Sequence, residues 1–249
     1  MTNGEVNHET PELGSMPFLD HLEELRRRLL KSIVAVVVMA LVAFYFSEEL
    51  MSFLVTPLGD IKLHVTEVTG SFYAYLKVSL VAGVVAASPI VFYQLWAFIA
   101  PGLYQHEKAR VLPLVLVSTI LFLIGASFCY LVVLPFSLKF LIGFSGDLLS
   151  PIITVGSYLT FAGILMLAFG VGFEMPVVAY FLGRVGLISS RFLAKGRRYA
   201  IVLILIIAAV LTPTPDVATQ LMLAGPLYLL YEVSIILVKV TGRKRQQEE

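Results

Sequence analysis

VLPLVLVSTILFLIGASFCYLVVLPFSL, residues 111–138, runs for 28 residues without a charged side chain. Bilayer hydrocarbon is about 30 Å thick and is crossed by roughly 20 apolar residues in a helix. A soluble fold of this size has no interior for such a stretch, whereas lipid solvates it. Five more uncharged runs accompany it: Ser32–Ser47, Val78–Gln105, Leu148–Phe173, Tyr199–Pro215 and Val217–Tyr231. The 249-residue chain is 58% hydrophobic and only 14% charged. The pattern predicts an all-α integral membrane protein with six transmembrane helices, at about 32–47, 72–93, 112–134, 158–182, 199–212 and 217–238.

Net charge is +1, so bulk charge names no partner and gives no sign of nucleic acid; its placement says more. Of 18 Lys and Arg, 15 fall in four places: Arg26–Lys31, Lys108 with Arg110, Arg184–Arg198 and Lys239–Arg245. Lysine and arginine accumulate on the cytoplasmic side of a membrane. Six crossings put all four clusters there, together with both termini, whereas four or five would scatter them. The chain then divides into a polar cytoplasmic tail at 1–15, a membrane domain at 16–238 and a second cytoplasmic tail at 239–249. The first arginines lie too deep for a secretory signal, and no small-residue cleavage site follows the first apolar run.

Ser15-Met16-Pro17 reads as a helix start. Phe18, Leu22, Leu25 and Leu29 recur at helical spacing, with Asp20, Glu23, Glu24, Arg27 and Arg28 on other faces. This predicts an amphipathic helix in the cytoplasmic interface, turning into the first span. Residues 47–71 form an outside loop, and Lys77 snorkels at the outer end of span two. Trp96 to Tyr104 is expected as a membrane-hugging cytoplasmic loop broken at Pro101-Gly102, with Trp96 at the interface. Pro135 and Pro151 belong to a second outside loop. Pro89, Pro176 and Pro226 lie within spans, where proline removes a backbone hydrogen bond and tends to kink the helix. Kinked spans assemble into a concave wall, although an ordinary bundle with tolerated prolines reads equally well. Ala200–Leu211 is short for a crossing, which suggests a locally thinned bilayer beside it.

The few acids inside the apolar runs each need a reason. Glu174, in Phe169-Gly-Val-Gly-Phe-Glu-Met-Pro176, costs about 3 kcal/mol or more as a bare carboxylate at that depth. It is expected to face a partner or a wet cavity, with Gly170, Gly172 and Pro176 letting a polar group from another helix come close. A helix-to-helix hydrogen bond accounts for Glu232 and Gln220, and Asp216 reads as a helix cap. Glu23 and Glu24 are spaced for i,i+4 pairs with Arg27 and Arg28. Glu107, in Gln105-His106-Glu107-Lys108, is either a solvated charge or an acceptor for a guanidinium. The lone Cys129 reads as a small core residue. There is no phosphate loop, zinc-protease helix, serine elbow or cysteine pair, so neither an enzyme nor a resident metal or cofactor is expected. A small proton-coupled secondary transporter using Glu174, Asp216 and Glu232 is the competing class, but no internal repeat supports it.

His21-Leu-Glu-Glu-Leu-Arg-Arg-Arg28 resembles the amino-terminal motif of the TatC family, the multispanning subunit of the twin-arginine protein translocase. Residues Ser88–Glu107, Phe169–Pro176 and Leu211–Asp216 with Gln220 resemble three further motifs in the same order. The resemblance covers about Phe18 to Val238; Lys108 stands where many members carry arginine.

The resemblance implies recognition of twin-arginine signal peptides and export of folded proteins across the cytoplasmic (inner) membrane, driven by the protonmotive force. It implies that Glu107 and Glu24 receive the arginine pair, with Phe98 and Arg26 shaping that surface. Glu174 and Gln220 would dock the single-span subunits TatA and TatB. Pro57 and Asp216 would serve assembly. Homo- and hetero-oligomers in the lipid bilayer are the expected working form.

Overall fold

The computed structural model describes residues 18–59, 61–99, 111–143, 152–211 and 217–248. Helix dominates: α1 (Phe18–Tyr45), α2 (Ser47–Val55), α3 (Gly70–Ile99), α4 (Val111–Phe128), α5 (Leu134–Gly143), α6 (Val155–Gly172), α7 (Met175–Val185), α8 (Ser190–Lys195), α9 (Arg197–Leu211) and α10 (Val217–Glu248). A 3-10 turn at Thr56–Leu58 follows α2, and a π turn at Cys129–Val133 links α4 to α5 without a break. Among the described residues the sole β feature is one bridge between His64 and Thr154.

Five stretches are long and apolar enough to cross a membrane: Asp20–Tyr45, Gly70–Ile99, Leu112–Gly143, Val155–Val185 and Thr219–Thr241. Large side chains such as Leu41, Leu116, Leu131, Val171 and Leu229 point outward from them, the arrangement lipid permits. The sixth expected span, α9, has 15 residues and reaches about 22 Å as helix.

The helices follow one another in a row whose middle is a cluster: α1 packs mainly on α3; α3, α4 and α6 pack on one another; α7 packs on α10, and α10 on α9. α1 stands at one edge, and none of its apolar stretch is buried. Small residues let it approach α3: a Cβ added at Gly83 would lie 2.6 Å from the Ala40 backbone. Two cores fill the row. One gathers Leu54, Val78, Val133, Leu134, Leu165, Phe169 and Leu223. The smaller joins Phe92, Trp96, Val115, Phe122, Val177 and Phe181.

Several expectations change. The amphipathic segment is no separate interfacial helix but the first turns of α1, because no glycine or proline interrupts residues 18–45. The outer loop after α1 contains α2 and the 3-10 turn, held down by two tyrosines. Tyr130 donates to the Phe53 carbonyl at 2.7 Å, and Tyr158 donates to the Leu54 carbonyl. α4 and α5 carry helix past Pro135, so the second outer loop starts later than expected. Pro89 and Pro226 lie inside α3 and α10. Pro176 instead opens α7, where its missing N–H would have no intrahelical partner.

Candidate functional site

One end of the row collects the helix termini that carry most of the positive charge. His21 of α1 stacks on Phe98 of α3, ring centroids 4.5 Å apart. Trp96 meets Phe181 of α7 edge-on at 5.0 Å. Gly183 of α7 sits against Val238 of α10. Tyr231 of α10 donates to the Leu193 carbonyl of α8 at 2.8 Å. The Arg26–Lys31 cluster, the described Arg184–Arg198 cluster and Lys239 therefore share this end, as a positive-inside pattern requires. α7 stops here because Gly186 takes the left-handed φ of 87°, which turns the chain and returns the Leu187 N–H to the Leu182 carbonyl.

Glu24 occupies the seam between α1 and α3. Its Oε1 accepts from Arg28 Nε and Nη2 at 2.8 and 2.6 Å, the i,i+4 pair read from the sequence. Arg28 Nη1 also donates to Gln94 of α3 at 3.4 Å. The second carboxylate oxygen of Glu24 is buried and has no hydrogen-bond partner among the described residues. The side chain is only 11% exposed, so an acceptor for a further guanidinium lies beside an aromatic pair, His21–Phe98. Glu23 and Arg27 make no matching pair among the described residues. Arg26 lies on another face of α1, away from Glu24, in a groove with Arg27 and Lys31. Glu107 and Asp216 fall outside the described residues.

Glu174 lies between α6 and α7, where the helical ladder is interrupted by Phe173 and Pro176. It is 7% exposed, and its Oε1 has no hydrogen-bond partner among the described residues. The expected close approach of a polar group through Gly170 and Gly172 does not occur. A Cβ at Gly170 would meet the Phe122 ring, and one at Gly172 would meet Leu227. The polar neighbour is Ser118 of α4, whose hydroxyl also accepts from Trp96 Nε1 at 2.9 Å. Trp96 is therefore a buried core residue and not an interfacial anchor. Sequence reading missed Ser118. Its signal was the pair Ser118-Thr119 in the middle of the uncharged 111–138 run, where a hydroxyl in lipid needs an acceptor.

The remaining sites are structural contacts. Gln220 Nε2 donates to the Leu205 carbonyl across α9 and α10 at 2.9 Å, so its amide is already engaged. Pro57 opens the 3-10 turn after α2. Glu232 accepts both guanidinium nitrogens of Arg197 at 2.7 and 2.8 Å and the Tyr228 hydroxyl at 2.8 Å, a fork that ties the start of α9 to α10. Lys77 does more than snorkel: it donates to Thr160 Oγ1 at 2.8 Å and the Gly156 carbonyl at 3.3 Å, joining α3 to α6.

A row of long apolar helices, with a buried carboxylate at one end and another at mid-depth, defines a multi-pass membrane protein. The chain belongs to the TatC family: the model of the Sec-independent protein translocase protein TatC matches residues 20–226. The TatC protein of Desulforapulum autotrophicum is 45% identical over 239 residues, covering 94% of this chain and 88% of that one. That of Aquifex aeolicus is 42% identical, covering 93% and 98%. A crystal structure of a twin arginine translocase receptor TatC superposes with a TM-score of 0.81 at 43% identity, covering 89% of this chain and 99% of that one.

Proposed function

We propose that this protein is the membrane receptor of a twin-arginine translocase, binding signal peptides with paired arginines and helping to pass folded proteins across the cytoplasmic membrane. The observation that carries the reading is the free, buried oxygen of Glu24 at the seam of α1 and α3. A charge-assisted hydrogen bond from an incoming guanidinium would contribute about 1.5–3 kcal/mol net. The same guanidinium can lie on the Phe98 face, since arginine stacks on aromatic rings. Glu107 would supply the second carboxylate, while Arg26, on another face of α1, would stand outside the contact surface. Positive charge gathered at this end makes it the cytoplasmic one, with both termini there. A crossing by the short α9 asks the lipid beside it to thin.

Glu174 serves a different task in this reading. A buried carboxyl with an unused oxygen offers a hydrogen-bonding station for a single-span helix, which fits docking of TatA or TatB. Gln220 holds α9 to α10, and Pro57 sets the outer cap on which subunits assemble. The protonmotive force is the energy source this reading assigns. The competing transporter reading loses support because Glu232 is committed to Arg197 and is partly exposed.

The deciding experiment is pull-down of the purified, reconstituted protein with a twin-arginine precursor and with the same precursor carrying paired lysines. Capture of the arginine form at least tenfold above the lysine form is expected from the bidentate geometry that lysine lacks. Equal capture, or proton-linked uptake of a small solute by the same vesicles, would overturn the reading.

A further inference from the structure

Along α1, beginning beside Glu23 and running toward Met39, lies a groove of about 640 Å³, within the range of small-ligand sites. Its upper end holds Arg26, Arg27 and Lys31, with Glu23 as the single acid. Below them it is apolar, lined by Leu30, Val34, Val38 and Met39 of α1 and by Ile90 of α3. None of the three cations makes an ion pair among the described residues. From Arg27 to Val38 the helix rises about 16 Å. That is close to half the roughly 30 Å of hydrocarbon, the depth of one leaflet.

Cations at the headgroup level over an apolar slot one leaflet deep match one chemistry. We propose that this groove binds an anionic phospholipid, its phosphate held by Arg26, Arg27 and Lys31 and an acyl chain laid along Leu30, Val34 and Val38. A twin-arginine peptide is a poor occupant, because its guanidinium pair would face three like charges. The site is thereby separate from the Glu24 seam, although both lie on α1. It would fix the depth and rotation of a helix whose main support among the described residues is α3.

The test uses the full chain in nanodiscs of equal phosphatidylglycerol and phosphatidylethanolamine, followed by native mass spectrometry after transfer to detergent. Wild type should retain phosphatidylglycerol in preference to phosphatidylethanolamine. Arg27→Gln with Lys31→Gln should retain it about thirtyfold less, the effect of removing two surface cations. Ala35→Trp, which fills the slot and leaves every cation in place, should also lose the lipid. Lys239→Gln, a cation at the same end but outside the groove, should keep it. Thermal unfolding of each variant separates lost binding from lost fold; if the double variant unfolds, Ala35→Trp carries the test. Indifference of wild type to the headgroup would overturn the proposal. So would undiminished lipid on the folded variants, or displacement of the lipid by a twin-arginine peptide.

Discussion

Glu24 and Glu174 are both largely buried carboxylates with one unpartnered oxygen, yet their settings are opposite. Glu24 has a cation of its own, Arg28, on a helix braced mainly by α3 among the described residues. Glu174 has only a serine hydroxyl nearby and lies between two helices deep in the row. The difference teaches what each can exchange. A guanidinium can join or replace Arg28 at Glu24 with little change in charge balance. At Glu174 no described cation competes, so what arrives there is a polar group on a helix.

Charge reversal at the seam is the strongest way to break this comparison. Glu24→Lys, or Glu107→Lys, should lower signal-peptide affinity about hundredfold or more, from the lost charge-assisted bonds and the new repulsion. Peptide cross-linking to the inserted variant reads it, and normal cross-linking would remove the acids from the recognition surface. Next comes the support of α1. Gly83→Leu drives a side chain into the Ala40 backbone and should cost about 2–3 kcal/mol, seen as a lowered thermal midpoint in detergent. Peptide binding should fall with it while the α7–α10 pairing stays intact, as disulfide trapping between those helices would show.

Glu174→Ala should leave peptide affinity unchanged and weaken co-purification of TatA and TatB about tenfold, corresponding to one or two intramembrane hydrogen bonds. Unchanged co-purification would erase the division of labour between the acids. The smallest effect is expected from Trp96→Phe. It keeps an aromatic ring against Phe181 but removes the donor to Ser118, costing about 1 kcal/mol of stability by the same thermal assay.

Much of the fold could be read from the chain because lipid imposes a severe rule: long uncharged runs must be helical. The apolar spans and the Glu24–Arg28 pair followed from spacing alone. What composition could not resolve was local continuity. Pro135 looks like a loop residue, yet the helix extends through it after the π turn. Nor could it resolve which neighbour a glycine admits. Gly170 and Gly172 receive Phe122 and Leu227, choices made by helix rotation and not by residue type. Trp96 was misplaced for the same reason: tryptophan suits an interface and also a core with an acceptor for its N–H, here Ser118.

The π turn at Cys129–Val133 carries a consequence for the length of this segment. One surplus residue there sets the azimuth of everything downstream, and α5 faces inward through Leu134, Ser137 and Leu138 because of it. Straightening the turn into ordinary α geometry at unchanged chain length would swing that face by about 100° toward lipid, whereas deleting one residue within the turn would keep it inward. A one-residue deletion should therefore be tolerated better within the turn than in the α-helical segments on either side of it, even though every residue in the turn is a common hydrophobic one.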